Sequence, residues 1–319
     1  MNVRRRLIPT AALSAAVVLG LGALTACSDT GAGSGKKDGK LDVVASFYPM
    51  QYLAERIGGD HVSVRNLTKP GVEPHDLELS PKQTASLGEA GLIVYLKGIQ
   101  PAVDKAIDQS GAKHTVDAAT LTKLEDHGTE VGHGHEGEEH HGDSEAGADP
   151  HVWLDPVKYA EVAQGVGKAL EKADPDHAAD YKKNTDAVVK DLGALNEKFA
   201  AGLKTTATKT FITTHSAFGY LAERYGLTQE GIAGVDPEAE PSPARVKELQ
   251  SVAKKDHVNT VFFETLASDK TARTLAGDTG LKTDVLDPLE GITKKSRGTD
   301  YLQVMASNLT ALQQALGAK

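Results

Sequence analysis

The sequence predicts an α/β protein with mainly parallel strands, and three observations predict it. From Leu41 onward, short apolar runs alternate with helix-like stretches, the signature of strand-helix units. The alternation occurs in two separate sets. Between the sets lies a long segment whose apolar residues fall on one helical face. A chain of 319 residues holds about two domains of ordinary size, so two α/β lobes are expected. Apolar residues at 39% and charged residues at 25% lie near globular averages, which excludes wholesale disorder, a collagen-like chain and a polytopic membrane protein.

Residues 1–26 read as an export signal. Arg4, Arg5 and Arg6 precede an apolar run from Ala11 to Leu24, the charged-then-hydrophobic plan of a leader. Its 14 residues fall short of the about 20 that a spanning helix needs. Leu24-Thr25-Ala26-Cys27 resembles a bacterial lipobox, where cleavage before the cysteine leaves its sulfur to carry diacylglycerol. Cys27 is therefore the expected lipid anchor, with the mature chain extracytoplasmic and held to the cell membrane. The alternative is an ordinary secretory signal with a chance cysteine. Residues 27–40, rich in Gly, Ser and Lys, have no apolar periodicity and are expected to form a flexible tether. A phosphate loop at Gly35-Lys36 fails, because Thr30 stands where the first Gly belongs and Lys37 where Ser or Thr belongs.

The first lobe is expected over 41–175, with strands at 41–46, 61–67 and 91–96 and helices near 49–58, 81–89 and 101–109. Residues 176–203 form the expected linking helix. Tyr181, Val188, Leu192, Leu195, Phe199 and Leu203 recur mostly at spacings of three and four, and 28 residues make a rod of about 42 Å. Such a rod either braces both lobes or belongs to one. The second lobe, 204–319, has expected strands at 209–214, 259–264 and 281–286. Its helices fall near 216–225, 243–255 and 269–278, with a closing helix over 301–316.

Charge and cysteine count narrow the function. Thirty-five basic and 44 acidic residues give a formal charge of −9, and loss of residues 1–26 removes three arginines and no acid, leaving −12. That balance excludes a general nucleic-acid footprint and favours a cation as partner. One cysteine against twelve histidines permits neither an internal disulfide nor a Cys-rich metal site, so a metal here uses nitrogen and oxygen ligands. Residues 125–150 hold five histidines (His127, His133, His135, His140, His141) and nine acids with no Lys or Arg. The segment cannot bury a core and is expected to be a mobile surface loop that holds divalent cations loosely. The zincin motif fails there by one residue, because His135-Glu136 is followed by histidines at 140 and 141 and not at 139.

Three further histidines have distinctive settings. His75 lies in the Pro-directed loop Gly71-Val72-Glu73-Pro74-His75-Asp76, and His151 between Pro150 and Pro156. His215 follows the apolar strand Phe211–Thr214, and Asp287 ends a strand-like run and precedes Pro288. Ligands of open α/β sheets bind beyond the carboxyl ends of strands, so a cleft between the lobes would bring all four onto one ion. Three neutral imidazoles and one carboxylate suit Zn2+ in a tetrahedral shell. Singly, each histidine reads more readily as a hydrogen-bonded structural residue; it is their joint placement that favours a metal.

The combination EPHDLELSP, DPHVWLDP, THSAFGYLAERYGL, EAEPSP and LDPL resembles the zinc and manganese solute-binding lipoproteins of bacterial ABC transporters, from about Leu41 to Leu316. The resemblance implies two lobes joined by a long rigid helix, with the metal site in the inter-lobe cleft and His75, His151, His215 and Asp287 as ligands. It also implies delivery of Zn2+ to an ABC permease, with a zinc metallochaperone as a further candidate partner and a monomer as the expected state. Manganese-type members carry a carboxylate at the position of His215, so His215 favours zinc. Zinc-type members often carry a disulfide in the second lobe, which this chain lacks. Glu73, Glu240 and Glu264 are candidates for orienting the imidazoles, with surface salt bridging the alternative for each. The rivals are a manganese or iron receptor, an extracytoplasmic zinc hydrolase with a metal-bound water, and an added adhesin role.

Overall fold

The two predicted strand sets build two parallel sheets with the same strand order. The structure, a computed structural model, describes residues 35–127 and 148–319. The export signal, Cys27, the tether up to residue 34, and His133, His135, His140 and His141 lie outside the described residues.

In the first sheet β1 (Lys36–Lys37) turns back antiparallel on β2 (Lys40–Ala45). The two-residue turn Asp38-Gly39 has positive φ at both positions, the sign pattern of the tight hairpin turn that Asp-Gly favours. The last residues of the expected tether are thus part of the sheet. β2 pairs in parallel with β3 (Val62–Asn66) and β4 (Leu92–Tyr95), and β4 pairs with β5 (Thr115–Asp117). The second sheet comprises β6 (Thr210–Thr213), β7 (Thr228–Gly231), β8 (Thr260–Phe263) and β9 (Lys282–Val285), in the order β7-β6-β8-β9 and all parallel. In each sheet the first long strand lies between its second and third, so strand order reverses beside β2 and β6. Reversal leaves a crevice beyond the strand ends.

The helices are α1 (Tyr48–Gly58), α2 (Pro81–Leu87), α3 (Pro101–Ser110), α4 (Pro156–Ala173), α5 (Ala178–Gly202), α6 (Gly219–Tyr225), α7 (Pro243–Lys255), α8 (Lys270–Thr279) and α9 (Tyr301–Leu316). Several start as their sequences dictate. Ser80 and Gln83 form a reciprocal capping box at α2, and Ser242 and Asp300 cap α7 and α9.

Strand alternation decides how the layers pack. Val43, Ala45, Leu92 and Val94 face one way in the first sheet, Phe211 and Phe262 the corresponding way in the second, and both groups join one cluster with side chains of α1, α4, α5 and α9. Val44 and Ile93 face instead toward Leu87, Val103 and Ile107 of α2 and α3, and Ile212 and Val261 toward Leu249 and Leu275 of α7 and α8. Each sheet therefore has a private outer core, and the two share an inner one.

α5 runs through that shared core. Its 25 residues span about 38 Å, with Tyr181, Val188, Leu192, Leu195 and Phe199 buried. Near its start, Asn184 Nδ2 donates to Ile57 O of α1 at 2.9 Å. Near its end, Phe199 stacks on Tyr225 of α6 at 5.3 Å and Gln313 Nε2 of α9 donates to Gly202 O at 3.2 Å. The helix thus contacts elements that belong to both sheets.

The sequence reading does not find α4, β5 or β7. α4 has a regular buried face in Tyr159, Val162, Val166 and Leu170, but Gly165 and Gly167 dilute the signal. Gly167 has a packing cause: a Cβ there would collide with Thr185 Oγ1 on α5, so the glycine allows the two helices to approach this closely. β7, Thr-Gln-Glu-Gly at a sheet edge, has no apolar side chain to announce it. Helix α6 starts at Gly219 and not at Ser216, whose N–H donates across to Gly234 O at 2.8 Å.

Gly167→Ala should lower unfolding stability by about 1–3 kcal/mol through overpacking, measured as a shift in the urea midpoint. Adding Thr185→Ala should recover part of the loss; no change in the midpoint would contradict the close-approach account.

Candidate metal centre

Each functional side chain sits just beyond a strand or at the entrance to a helix. His75 lies on the loop after β3, where Glu73 Oε1 accepts its backbone N–H at 3.2 Å. His151 opens the short turn Val152–Leu154 ahead of α4. His215 follows β6, and Glu264 follows β8. Glu290 lies on the loop after β9.

These loops bring His75, His151, His215 and Glu290 together, with one ligand atom from each lying within 4.8 Å of all the others. Glu290 Oε1 is 3.4 Å from His75 Nε2, 3.3 Å from His151 Nε2 and 3.4 Å from His215 Nε2. Donors at about 2.0–2.1 Å from a tetrahedral Zn2+ stand about 3.3–3.4 Å apart by geometry alone. The side chains of His151, His215 and Glu290 are fully buried and that of His75 is 11% exposed, so this opening is where the centre meets solvent.

The rings are aimed from behind. Asp149 Oδ1 accepts from both the backbone N–H of His151 (2.9 Å) and its ring Nδ1 (2.7 Å). Glu264 Oε1 accepts from His215 Nδ1 at 2.6 Å and also from the Thr214 hydroxyl. A carboxylate on Nδ1 keeps the proton there and leaves Nε2 to offer its lone pair. Both Nε2 atoms are buried and lack a hydrogen-bond partner among the described residues, as does Glu290 Oε2. Such orphaned groups are costly unless an ion completes them.

Electrostatics match this arrangement. Burial opposes a charged His151, but Asp149 and Glu290 outweigh it and hold its pKa above the ordinary value. Burial likewise opposes a charged His215, and Glu264 and Glu290 hold it well above. Burial would raise Glu290, yet the three imidazoles hold it well below the usual carboxylate range. Glu73 is pushed up to about 9, first by burial and then by the charge of Glu290. Without a metal, protons on His151 and His215 balance Glu290; a divalent cation would replace them.

The sequence expectations fare unequally. Asp287 is outside the cluster, and this is a correction: the carboxylate that joins the imidazoles is Glu290, three residues later. Asp287 Oδ1 accepts from the Leu289 N–H at 2.9 Å and Oδ2 from Thr265 Oγ1 at 3.1 Å, so both oxygens are spent holding the loop. Glu264 accepts from the His215 ring and Glu73 from the His75 backbone N–H. Glu240 is exposed on the loop before α7, lining a cavity of about 370 Å³ with Arg245, and is not one of the grouped residues. His127, expected in the loose loop set, is held between Asp149 Oδ2 and Glu223 Oε2, each at 2.9 Å. Sequence reasoning misses Glu290 and Asp149. The signal for Asp149 is its place two residues before His151, a spacing at which a carboxylate reaches the following N–H.

Known proteins resemble the chain across nearly its whole length. Residues 43–315 match the family described as zinc-uptake complex component A, periplasmic. The zinc-binding lipoprotein AdcA of Streptococcus pneumoniae is 37% identical over 300 residues, covering 91% of this chain and 58% of the relative; the chain thus spans little more than half of that protein. The high-affinity zinc uptake system protein ZnuA of Bacillus subtilis is 37% identical over 298 residues, 92% of each chain. The Zn(II)-bound ZnuA-like domain of Streptococcus pneumoniae AdcA superimposes with a TM-score of 0.72 at 36% identity, over 87% of this chain and 99% of that one.

Asp149→Asn and Glu264→Gln should each weaken zinc affinity by about 10- to 100-fold, the usual effect of losing a carboxylate behind a metal-bound imidazole. Competition against a chromophoric chelator reads this directly. Affinities equal to that of the unsubstituted chain would show that the two carboxylates do not act on the centre.

Proposed function

We propose a function from one premise: the chain belongs to the zinc-uptake complex component A family. It is an extracytoplasmic receptor that captures Zn2+ and hands it to an ABC permease for high-affinity uptake. The observation that carries this reading is the convergence of four donors, with three imidazole Nε2 atoms at 3.3–3.4 Å from one carboxylate oxygen, a separation that matches the three edges such an oxygen makes in a tetrahedral zinc shell, and all four ligand atoms within 4.8 Å of one another. His75, His151, His215 and Glu290 are the ligands. Three nitrogen donors favour Zn2+ over the harder Mn2+. Four protein donors also leave no place for the metal-bound water that a zinc hydrolase needs.

Anchoring through Cys27 follows from the lipobox-like sequence and fits a receptor that must stay near its permease. The histidines and acids of residues 128–147 supply further weak donors from which ions reach the centre. A zinc metallochaperone is a compatible donor to the same site.

Titration of residues 28–319 should give tight one-to-one binding of Zn2+ at the centre and much weaker binding of Mn2+, and His215→Ala should abolish the tight phase. A preference for Mn2+, or tight binding that survives the substitution, would overturn the reading. The pH dependence has a definite sign. His151 and His215 keep their protons to higher pH than a free imidazole, and zinc must displace them, so affinity falls as pH falls, beginning above the ordinary value of about 6.5. Calorimetry in buffers of different ionisation heat should record proton release on binding that grows as pH is lowered toward that range.

A further inference from the structure

We infer that Asp287, with Asn308 of α9, is a positioning residue that acts through Glu290 by locking the loop that presents it. The inference rests on the receptor reading above. The last sheet bond of β9's strand is Leu286 N–H to Phe263 O at 3.1 Å, and Glu290 lies only four residues beyond it. Side chains hold almost every polar group of the intervening backbone. Asn308 Oδ1 accepts the Asp287 N–H at 3.0 Å while Asn308 Nδ2 donates to Asp287 O at 2.7 Å. Trp153 Nε1 donates to Pro288 O at 2.7 Å. Asp287 Oδ1 accepts the Leu289 N–H at 2.9 Å, and Oδ2 is fixed by Thr265.

The reason for so many restraints is Leu289. It is fully buried and has φ of +61°, a left-handed conformation that a leucine avoids unless its surroundings impose it. That reversal turns the chain so that the next residue enters the triangle of imidazoles. Trp153 follows His151 by two residues, so the turn that carries one ligand also grips the loop carrying another. Without the Asp287 and Asn308 bonds, Leu289 relaxes toward ordinary φ and Glu290 loses its aim. The imidazoles keep theirs.

The test is a double-mutant cycle of Asp287→Ala and Glu290→Gln in the full mature chain, read as Zn2+ affinity by chelator competition and as the visible spectrum of the Co2+ form. Asp287→Ala alone should weaken zinc by about 10- to 100-fold, as removal of a ligand's supporting group does. In the Glu290→Gln background it should cost nothing further, because the residue it positions is already disabled. Asp287→Asn keeps an oxygen for the Leu289 N–H and should recover most of the lost affinity and the Co2+ spectrum. Losses that multiply in the double variant, or no loss from Asp287→Ala, overturn the inference. Should Asp287→Ala fail to fold by circular dichroism, Asn308→Ser runs the same cycle from the helix side, and multiplying losses there overturn it equally. A chain that takes up no zinc before substitution defeats the receptor reading and the inference with it, whereas multiplying losses in a zinc-binding chain defeat the inference alone.

Discussion

Glu290 is a buried carboxylate whose second oxygen has no hydrogen-bond partner among the described residues, and the cost of keeping it charged organises the centre. An ionised carboxylate withdrawn from water is penalised by several kcal/mol unless opposite charge stands close to it. Three imidazoles at 3.3–3.4 Å meet that need. The need is met in two ways, by protons on His151 and His215 when metal is absent and through a shared divalent cation when it is present. Asp149 and Glu264 belong to the same balance: each is acidic, each holds the far nitrogen of a ring, and each adds negative charge that a cation then offsets. The centre is thus built for exchange of protons against metal.

Geometry this tight requires that loops from both sheets keep their spacing. The shared inner core supplies it, since side chains of β2, β4, β6 and β8 join α1, α4, α5 and α9 in one continuous cluster. Close-packed interiors have low compressibility and hold attachment points rigidly. Polar ties across the middle add direction to that packing. The Tyr301 hydroxyl of α9 donates to Trp153 O at 2.5 Å, Trp153 Nε1 donates to Pro288 O, and Arg224 of α6 donates twice to Asp155 at the start of α4. Trp153 lies within the turn that His151 opens and Asp155 closes it, so one short segment links the core to the cluster.

Much of this was legible in the sequence, for identifiable reasons. Parallel strands buried on both faces read as apolar runs, so β2, β4, β6 and β8 stand out. Edge strands β5 and β7 are short or polar and do not. The imidazoles were legible because prolines or a strand end single out their positions. The fourth member of the cluster was not. Asp287 and Glu290 are both acids on one loop, and the one that joins the imidazoles follows a left-handed turn at Leu289 that no local propensity foretells, since leucine disfavours it. The buried role of Asn308 is likewise invisible in α9, where an asparagine at a helical position looks like a surface residue. Gly167 misled in the opposite sense, weakening the helix signal of α4 for the sake of contact with α5.

The central claim is that one preformed constellation of three imidazoles and the Glu290 carboxylate holds the ion. X-ray absorption at the zinc edge, on the mature chain loaded with one equivalent of Zn2+, tests it most directly. The account predicts a four-coordinate shell with all donors at about 2.0–2.2 Å, the multiple-scattering signature of three imidazoles, and one oxygen whose contribution changes in Glu290→Gln and not in an Asp287→Asn chain. A six-coordinate shell, fewer than three imidazoles, or an oxygen donor indifferent to Glu290→Gln would contradict it.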